Sequence, residues 1–202
     1  KYYTKLHKLF AKVSTKDSKM QIVGSWRRKA KTSGDIDIII GNKAGNVNVF
    51  NTFLDKLSEK KMIIEFLSRG KIKSLVMAQL PGKTPRRVDF LFSPPDEYAF
   101  AVLYFTGSAI FNTVMRQRAL DMGYSMNEHG MYKMVSGKKG AKLDMIFNTE
   151  KDIFKFLEME YKTPVERKDG NAVVILEKVP SPAQEKTLGL IDDVEDEIKV
   201  KK

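Results

Sequence analysis

Gly24-Ser25-Trp26-Arg27-Arg28, followed by Gly34-Asp35-Ile36-Asp37-Ile38-Ile39-Ile40, sets the architecture of this chain. In an extended strand, residues i and i+2 share a face. Asp35 and Asp37 therefore point one way, and Ile36, Ile38 and Ile40 point the other way, into a core. Arg86-Arg87-Val88-Asp89-Phe90-Leu91-Phe92 repeats the design, with Val88, Phe90 and Phe92 on one face and Asp89 on the opposite one. Three carboxylates on one face of adjacent strands repel one another unless cations sit between them. That donor set suits two Mg²⁺ ions, roughly 3.5–4 Å apart, clamping a phosphoryl transfer.

Upstream of these strands, Gly24 and Ser25 offer backbone N–H groups and a hydroxyl where a strand gives way to a turn, a geometry that holds phosphate oxygens. Arg27 and Arg28 follow at once and can pair with a triphosphate. A phosphate cradle placed shortly before a metal-binding Asp-x-Asp implies nucleotidyl transfer. An isolated Asp-x-Asp would be an ordinary solvated pair; the cradle and the third aspartate give it meaning.

The composition agrees. The chain has 202 residues, a net charge of +11 and an isoelectric point near 9.6. Such an excess of cations suggests a polyanionic partner, nucleic acid first. Cysteine is absent, which excludes disulfides and thiolate zinc sites and fits an intracellular rather than a secreted protein. No apolar run spans a bilayer and no signal peptide is visible, so no membrane partner is expected. A first residue of Lys1 rather than Met suggests a fragment or a processed product.

Outward from the aspartates, apolar spacing predicts a helix over 2–13, with Tyr2 and Tyr3 as packing residues, and a short strand over 21–23. A second helix is marked by Val47, Phe50, Leu54 and Leu57, and a hairpin runs over 62–67 and 72–80. Pro94-Pro95 marks a lobe boundary. Helices over 96–105 and 108–122 follow, then short β segments with a basic loop over 136–142. Thr149 and Asp152 form a capping box for a helix over 150–160, and Pro164 ends the compact part. The expected fold is α+β: residues 1–95 form a lobe around a mixed sheet, 96–176 a smaller α/β carboxy-terminal lobe, and 177–202 a flexible tail that could engage a protein partner. His7 and His129 stand alone, with no metal role.

The second lobe carries Tyr104-Phe105-Thr106-Gly107-Ser108, then Asn112 and Arg116. Together with the two aspartate segments, this resembles the X family of DNA polymerases, close to the beta and lambda types, from about residue 20 to about 167. The resemblance implies a nucleotidyltransferase palm, with Asp35 and Asp37 bridging both Mg²⁺ ions (Mn²⁺ being able to substitute) and Asp89 holding the catalytic one and helping to deprotonate the primer 3′-OH. It implies that Gly24, Ser25, Arg28 and Gly34 bind the triphosphate of a dNTP. Tyr104, Phe105 and Gly107 would lie along the deoxyribose and Asn112 at the minor-groove edge of the base. Arg116 would contact the template, supported by Glu128, and Lys138, Lys139 and Lys142 would meet DNA phosphates. The implied activity is template-directed synthesis on gapped or primed DNA, as in base-excision repair, in a nucleus or in association with a virus.

The chain departs from the beta type. Ala109 replaces the acidic residue after Thr-Gly-Ser, and Leu91 stands where the beta type carries Arg, so a charge switch from that Arg to a metal-binding Asp cannot operate. Nothing resembles the amino-terminal lyase domain or the helix-hairpin-helix elements. Two other readings stay open: template-independent terminal transfer, against which Tyr104-Phe105 argues, and a non-catalytic DNA-binding subunit, which would be expected to lack one of the aspartates.

Overall fold

The computed structural model describes residues 2–176. Alternation of apolar residues builds a five-stranded mixed sheet from β1 (Ser18–Ile22), β2 (Asp35–Asn42), β3 (Ile63–Arg69), β4 (Lys73–Ala78) and β5 (Arg86–Phe92). Its order is β1-β2-β5-β4-β3. β2 and β5 run parallel in the centre and the remaining pairs are antiparallel. The parallel register sets Ile36 beside Val88, Ile38 beside Phe90 and Ile40 beside Phe92. These rows meet α1 (Tyr2–Val13) and α3 (Asn48–Glu59), whose Leu6, Leu9, Phe10, Phe50, Phe53 and Leu54 complete the larger core.

The opposite sheet face is graded. Asp35 lies beside Arg87, Asp37 beside Asp89, and Ile39 beside Leu91. Ile39 sits with Val23 under Ala101 and Val102 of α4 (Tyr98–Thr106). α4 is buried over most of its length, from Ala99 to Leu103, because it contributes to this small cluster and to the core of the second lobe. That core also takes Phe111 and Met115 of α5 (Ala109–Asp121) and Ile153 and Phe154 of α6 (Glu150–Phe156). A second sheet, β6 (Tyr124–Asn127), β7 (Gly130–Val135) and β8 (Lys138–Lys142), adds Met126 and Met131.

Several boundaries differ from the sequence reading. The first strand is Ser18–Ile22 rather than 21–23; Val23 extends the pairing only by donating its N–H to the Asp37 carbonyl. The basic segment 136–142 is a turn followed by a strand, because its backbone pairs with β7. The last helix stops at Phe156, although the Thr149–Asp152 capping box is present as expected. The compact part does not end at Pro164. The Arg167 side chain is fully buried, a short 3-10 turn spans Gly170–Ala172, and Ile175 pairs with Met159. The expected tail, 177–202, lies outside the described residues. No helix among the described residues is long and apolar enough to cross a membrane.

Candidate active site

The register of the two central strands brings the three aspartates together. A carboxylate oxygen from each of Asp35, Asp37 and Asp89 lies within 4.8 Å of the others. Asp37 feels this most. Burial first, then the charges of Asp35 and Asp89, push its pKa up to about 6, against a smaller opposing pull from Arg87 and Lys73. Arg87, two residues before Asp89 on the same strand face, reaches back between the acids. Its guanidinium donates to Asp35 Oδ2 at 2.7 Å and to Asp89 Oδ1 at 3.1 Å. The sequence reading gave Arg87 no role, although the i, i+2 spacing was the available signal. One guanidinium cannot neutralise three carboxylates. The cluster is a half-exposed, electron-rich oxygen donor set of the kind that hard divalent cations take.

The turn after β1 forms one wall. Gly24 has φ of 66° and packs so closely on Asp37 that a Cβ would meet the carboxylate, so only glycine fits. α2 (Gly24–Arg27) is a single turn. The Ser25 hydroxyl donates to Ser33 Oγ at 2.8 Å, which in turn donates to the Asp35 carbonyl at 2.5 Å. These bonds tie the turn to the segment holding Gly34. Arg28 donates to the Thr106 carbonyl, next to Gly107, whose lack of a side chain leaves room for that guanidinium. The candidate phosphate cradle and the Tyr104–Ser108 junction are therefore joined through Arg28.

Arg27 behaves differently from the sequence expectation. It turns away from the triad and makes a bidentate pair with Glu150, at 2.8 and 2.6 Å, and a bond to the Thr106 hydroxyl at 2.6 Å. Arg167 approaches the same carboxylate at 2.6 Å. Burial alone would raise the Glu150 pKa, but the Arg27 and Arg167 contacts outweigh it and hold the carboxyl below its usual range. This buried triad fastens α2 to the second lobe.

The second-lobe residues named in the sequence lie around the Tyr104–Ser108 junction and on β6 to β8. Tyr104 and Phe105 form an edge-to-face pair at 5.1 Å, and Phe105 lies near Asp37 and Asp89. The Asn112 amide donates to the Tyr104 carbonyl at 2.7 Å, which leaves its own carbonyl oxygen unused. Arg116, one helical turn on, is exposed and has no ion pair among the described residues. It borders a small hollow with Asn112 and Asn127, whereas Glu128 lies 3.8 Å from His129. His129 is not isolated: its Nδ1 meets Glu97 at 2.7 Å. Lys138 and Lys139 lie exposed on β8, with Lys139 over the Tyr132 ring. Lys142 is held by Asp96 at 2.7 Å.

Comparison with known proteins gives this geometry a family. The DNA polymerase beta palm family matches residues 2–95, and the DNA polymerase beta thumb family matches residues 101–168. DNA polymerase lambda of Rattus norvegicus is 37% identical over 158 residues, covering 71% of this chain and 28% of its own length. DNA polymerase lambda of Arabidopsis thaliana is 29% identical over 162 residues, covering 71% and 31%. Repair DNA polymerase X of African swine fever virus is 24% identical over 145 residues, covering 72% and 79%. The chain thus spans about three tenths of the length of the lambda polymerases it matches. With a five-stranded mixed sheet presenting three aspartates and a helical second lobe carrying Tyr-Phe-Thr-Gly, the chain belongs to family X of the DNA polymerases.

Proposed function

We propose that this chain catalyses template-directed addition of a deoxynucleotide to a primer 3′-hydroxyl, filling short gaps in DNA repair. The observation that carries the proposal is the parallel register of β2 and β5, which sets Asp37 beside Asp89 and Asp35 two residues away, against the Gly24–Ser25 turn. Asp35, Asp37 and Asp89 fit a pair of Mg²⁺ ions, for which Mn²⁺ is expected to substitute. When bound, such a pair supplies Lewis acidity at the 3′-hydroxyl and charge neutralisation along the triphosphate.

The chain's own residues do the positioning. Gly24, Ser25 and Gly34 offer backbone and hydroxyl donors to the β- and γ-phosphates, and Arg28 adds a fixed positive charge. Arg28 is anchored through Thr106, so the triphosphate and the Tyr104-Phe105-Gly107 surface are registered to one another. That surface takes the deoxyribose. Asn112 keeps a free carbonyl for the base edge, and Arg116 stands free for the template strand, with Glu128 as its expected support once the second lobe closes. Asp89 takes part in removing the hydroxyl proton. Arg87 donates to the same Asp35 and Asp89 oxygens that would hold the cations, so the two would compete for them. Lys138 and Lys139 add phosphate contacts that weaken with salt. We place the lobe boundary at residues 95 and 96 and the protein inside the cell, where its DNA is.

The test is primer extension on a one-nucleotide gap and on unpaired primer, with each dNTP alone. The proposal requires Mg²⁺-dependent insertion of the templated nucleotide only. Equal addition of all four to unpaired primer would favour terminal transfer. No addition to either, with DNA still bound, would favour a non-catalytic subunit.

A further inference from the structure

One large hollow among the described residues does not contain the aspartates. It is a groove of about 830 Å³ between α1, the outer edge of β1, α2, the start of α4 and residues 148–150. One wall carries a ladder of rings. His7 lies 5.6 Å from Tyr3, and Tyr3 stacks on Trp26 at 5.5 Å with the planes 25° apart. Tyr3 is 40% exposed and Trp26, the single tryptophan of the chain, is 50% exposed. The helix spacing that makes Tyr2 a core residue puts Tyr3 on this wall instead, so Tyr3 is not the packing residue expected from the sequence.

The remaining lining is mixed apolar and polar, and it carries two lysines. Lys16 and Lys19 are exposed and are held by no carboxylate among the described residues; Lys19 lies over the Tyr98 ring at 5.5 Å. The acids in reach are already neutralised: Glu150 by Arg27 and Arg167, and the neighbouring Asp17 by Lys43 at 3.7 Å. The Ser14 hydroxyl adds a donor, while the Thr15 hydroxyl is bonded to Ser18 Oγ at 2.9 Å. Half-exposed rings beside unpaired lysines can hold unpaired bases against aromatic surface and their phosphates by charge. The volume falls in the range of pockets that take ligands of roughly one or two nucleotides.

We propose that this groove is a second nucleic-acid site, which binds a single strand by packing bases against the exposed surface of the Tyr3–Trp26 stack and pairing phosphates with Lys16 and Lys19. It would hold an unpaired strand of the DNA while the paired part occupies the aspartate cleft. The inference rests on the proposed DNA binding in the cleft, but not on catalysis, since no residue of the aspartate triad lines the groove.

Trp26 is its own reporter. The full chain is first saturated with one-nucleotide-gapped duplex, which fills the catalytic cleft, and an oligothymidylate of about eight residues is then titrated while Trp26 emission is read. We expect quenching that weakens with salt. In Tyr3→Ala and in Lys16→Glu/Lys19→Glu, variants of opposite walls, the apparent Kd should rise about tenfold or more. Melting temperature and nucleotide addition on the gapped duplex should match the parent. Quenching that disappears once the gapped duplex is bound would assign all binding to the cleft and overturn the proposal. So would unchanged emission, quenching that both variants retain, or quenching by an extended peptide added along β1 but not by the oligonucleotide.

Discussion

The protein holds two clusters in which carboxylates meet arginines, and they are built in opposite senses. At the junction of α2 with the second lobe (the hinge), one carboxylate, Glu150, lies between Arg27 and Arg167, with side-chain exposures of 8%, 17% and 0%. In the cleft, three carboxylates share one guanidinium, Arg87, and Asp35 is 37% exposed. The hinge carboxylate is paired by protein groups alone and held below the ordinary pKa, while Nη2 of the buried Arg167 has no hydrogen-bond partner. The cleft cluster is short of positive charge, and Asp37 is pushed up to about 6. A fold keeps an under-neutralised acidic cluster at a stability cost, and a cation that binds only the folded state offsets that cost by mass action. The contrast separates a structural ion cluster from one left open for a ligand.

The largest expected effect distinguishes the two clusters by function. Asp89→Ala should lower single-turnover nucleotide addition on a gapped duplex by about a thousandfold or more, with DNA affinity little changed. Extension at the parent rate would remove the cleft from the chemistry.

Next comes the hinge. Glu150→Ala leaves the buried Arg167 charge uncompensated, and unfolding by urea should show a loss of about 3–5 kcal/mol. Arg167 keeps a bond to the Lys162 carbonyl and three aromatic neighbours, so the loss should be smaller than for an arginine in an empty apolar site. A change below about 1 kcal/mol, the scale of exposed pairs, would show that the buried network adds nothing.

The smallest effect has the opposite sign. Asp37 binds its proton more tightly in the folded chain than in the unfolded one. Without divalent cations, its contribution to stability therefore falls as pH rises from about 4 to about 6 and stays low above that. Glu150 runs the other way: its contribution is present above the ordinary carboxylate range and is lost as pH falls through the lowered value. Asp37→Asn should thus stabilise the cation-free protein at pH 7.5 by about 1 kcal/mol, after allowance for solvent screening of a partly exposed group. That corresponds to a rise in Tm of roughly 2–4 °C. A fall in Tm would mean that the cleft acids are already neutralised without a metal.

How legible each cluster was follows from its sequence separation. The cleft was readable because Asp-Ile-Asp-Ile-Ile-Ile and Arg-Val-Asp-Phe-Leu-Phe each carry a two-residue alternation, and alternation fixes which side chains share a sheet face. Position along the strand then followed from the register. The hinge was not readable. Arg27 and Glu150 are 123 residues apart, and nothing local marks either as a partner of the other. Arg27 had a more obvious local reading beside Arg28, as a phosphate ligand. Arg167 lies past Pro164, in a stretch rich in charge that reads as the end of the compact part; only its burial among Phe111, Phe154 and Tyr161 shows otherwise. The lysines of 138–142 read as a loop because their side chains are exposed on both faces of β8, so no alternation betrays the strand. The groove was hidden for a related reason: Tyr3 and Trp26 are 23 positions apart and meet only when α1 lies against α2.

The most direct measurement is Mn²⁺ uptake at pH 7.5, followed by loss of the free-ion electron paramagnetic resonance signal on titration with protein. The account predicts that the parent binds Mn²⁺ in competition with Mg²⁺, that Asp35→Ala/Asp37→Ala abolishes this binding, and that Glu150→Gln leaves it intact. Uptake unaffected by loss of the two cleft aspartates, or no uptake by the parent, would contradict the claim that the cleft cluster is completed by divalent cations.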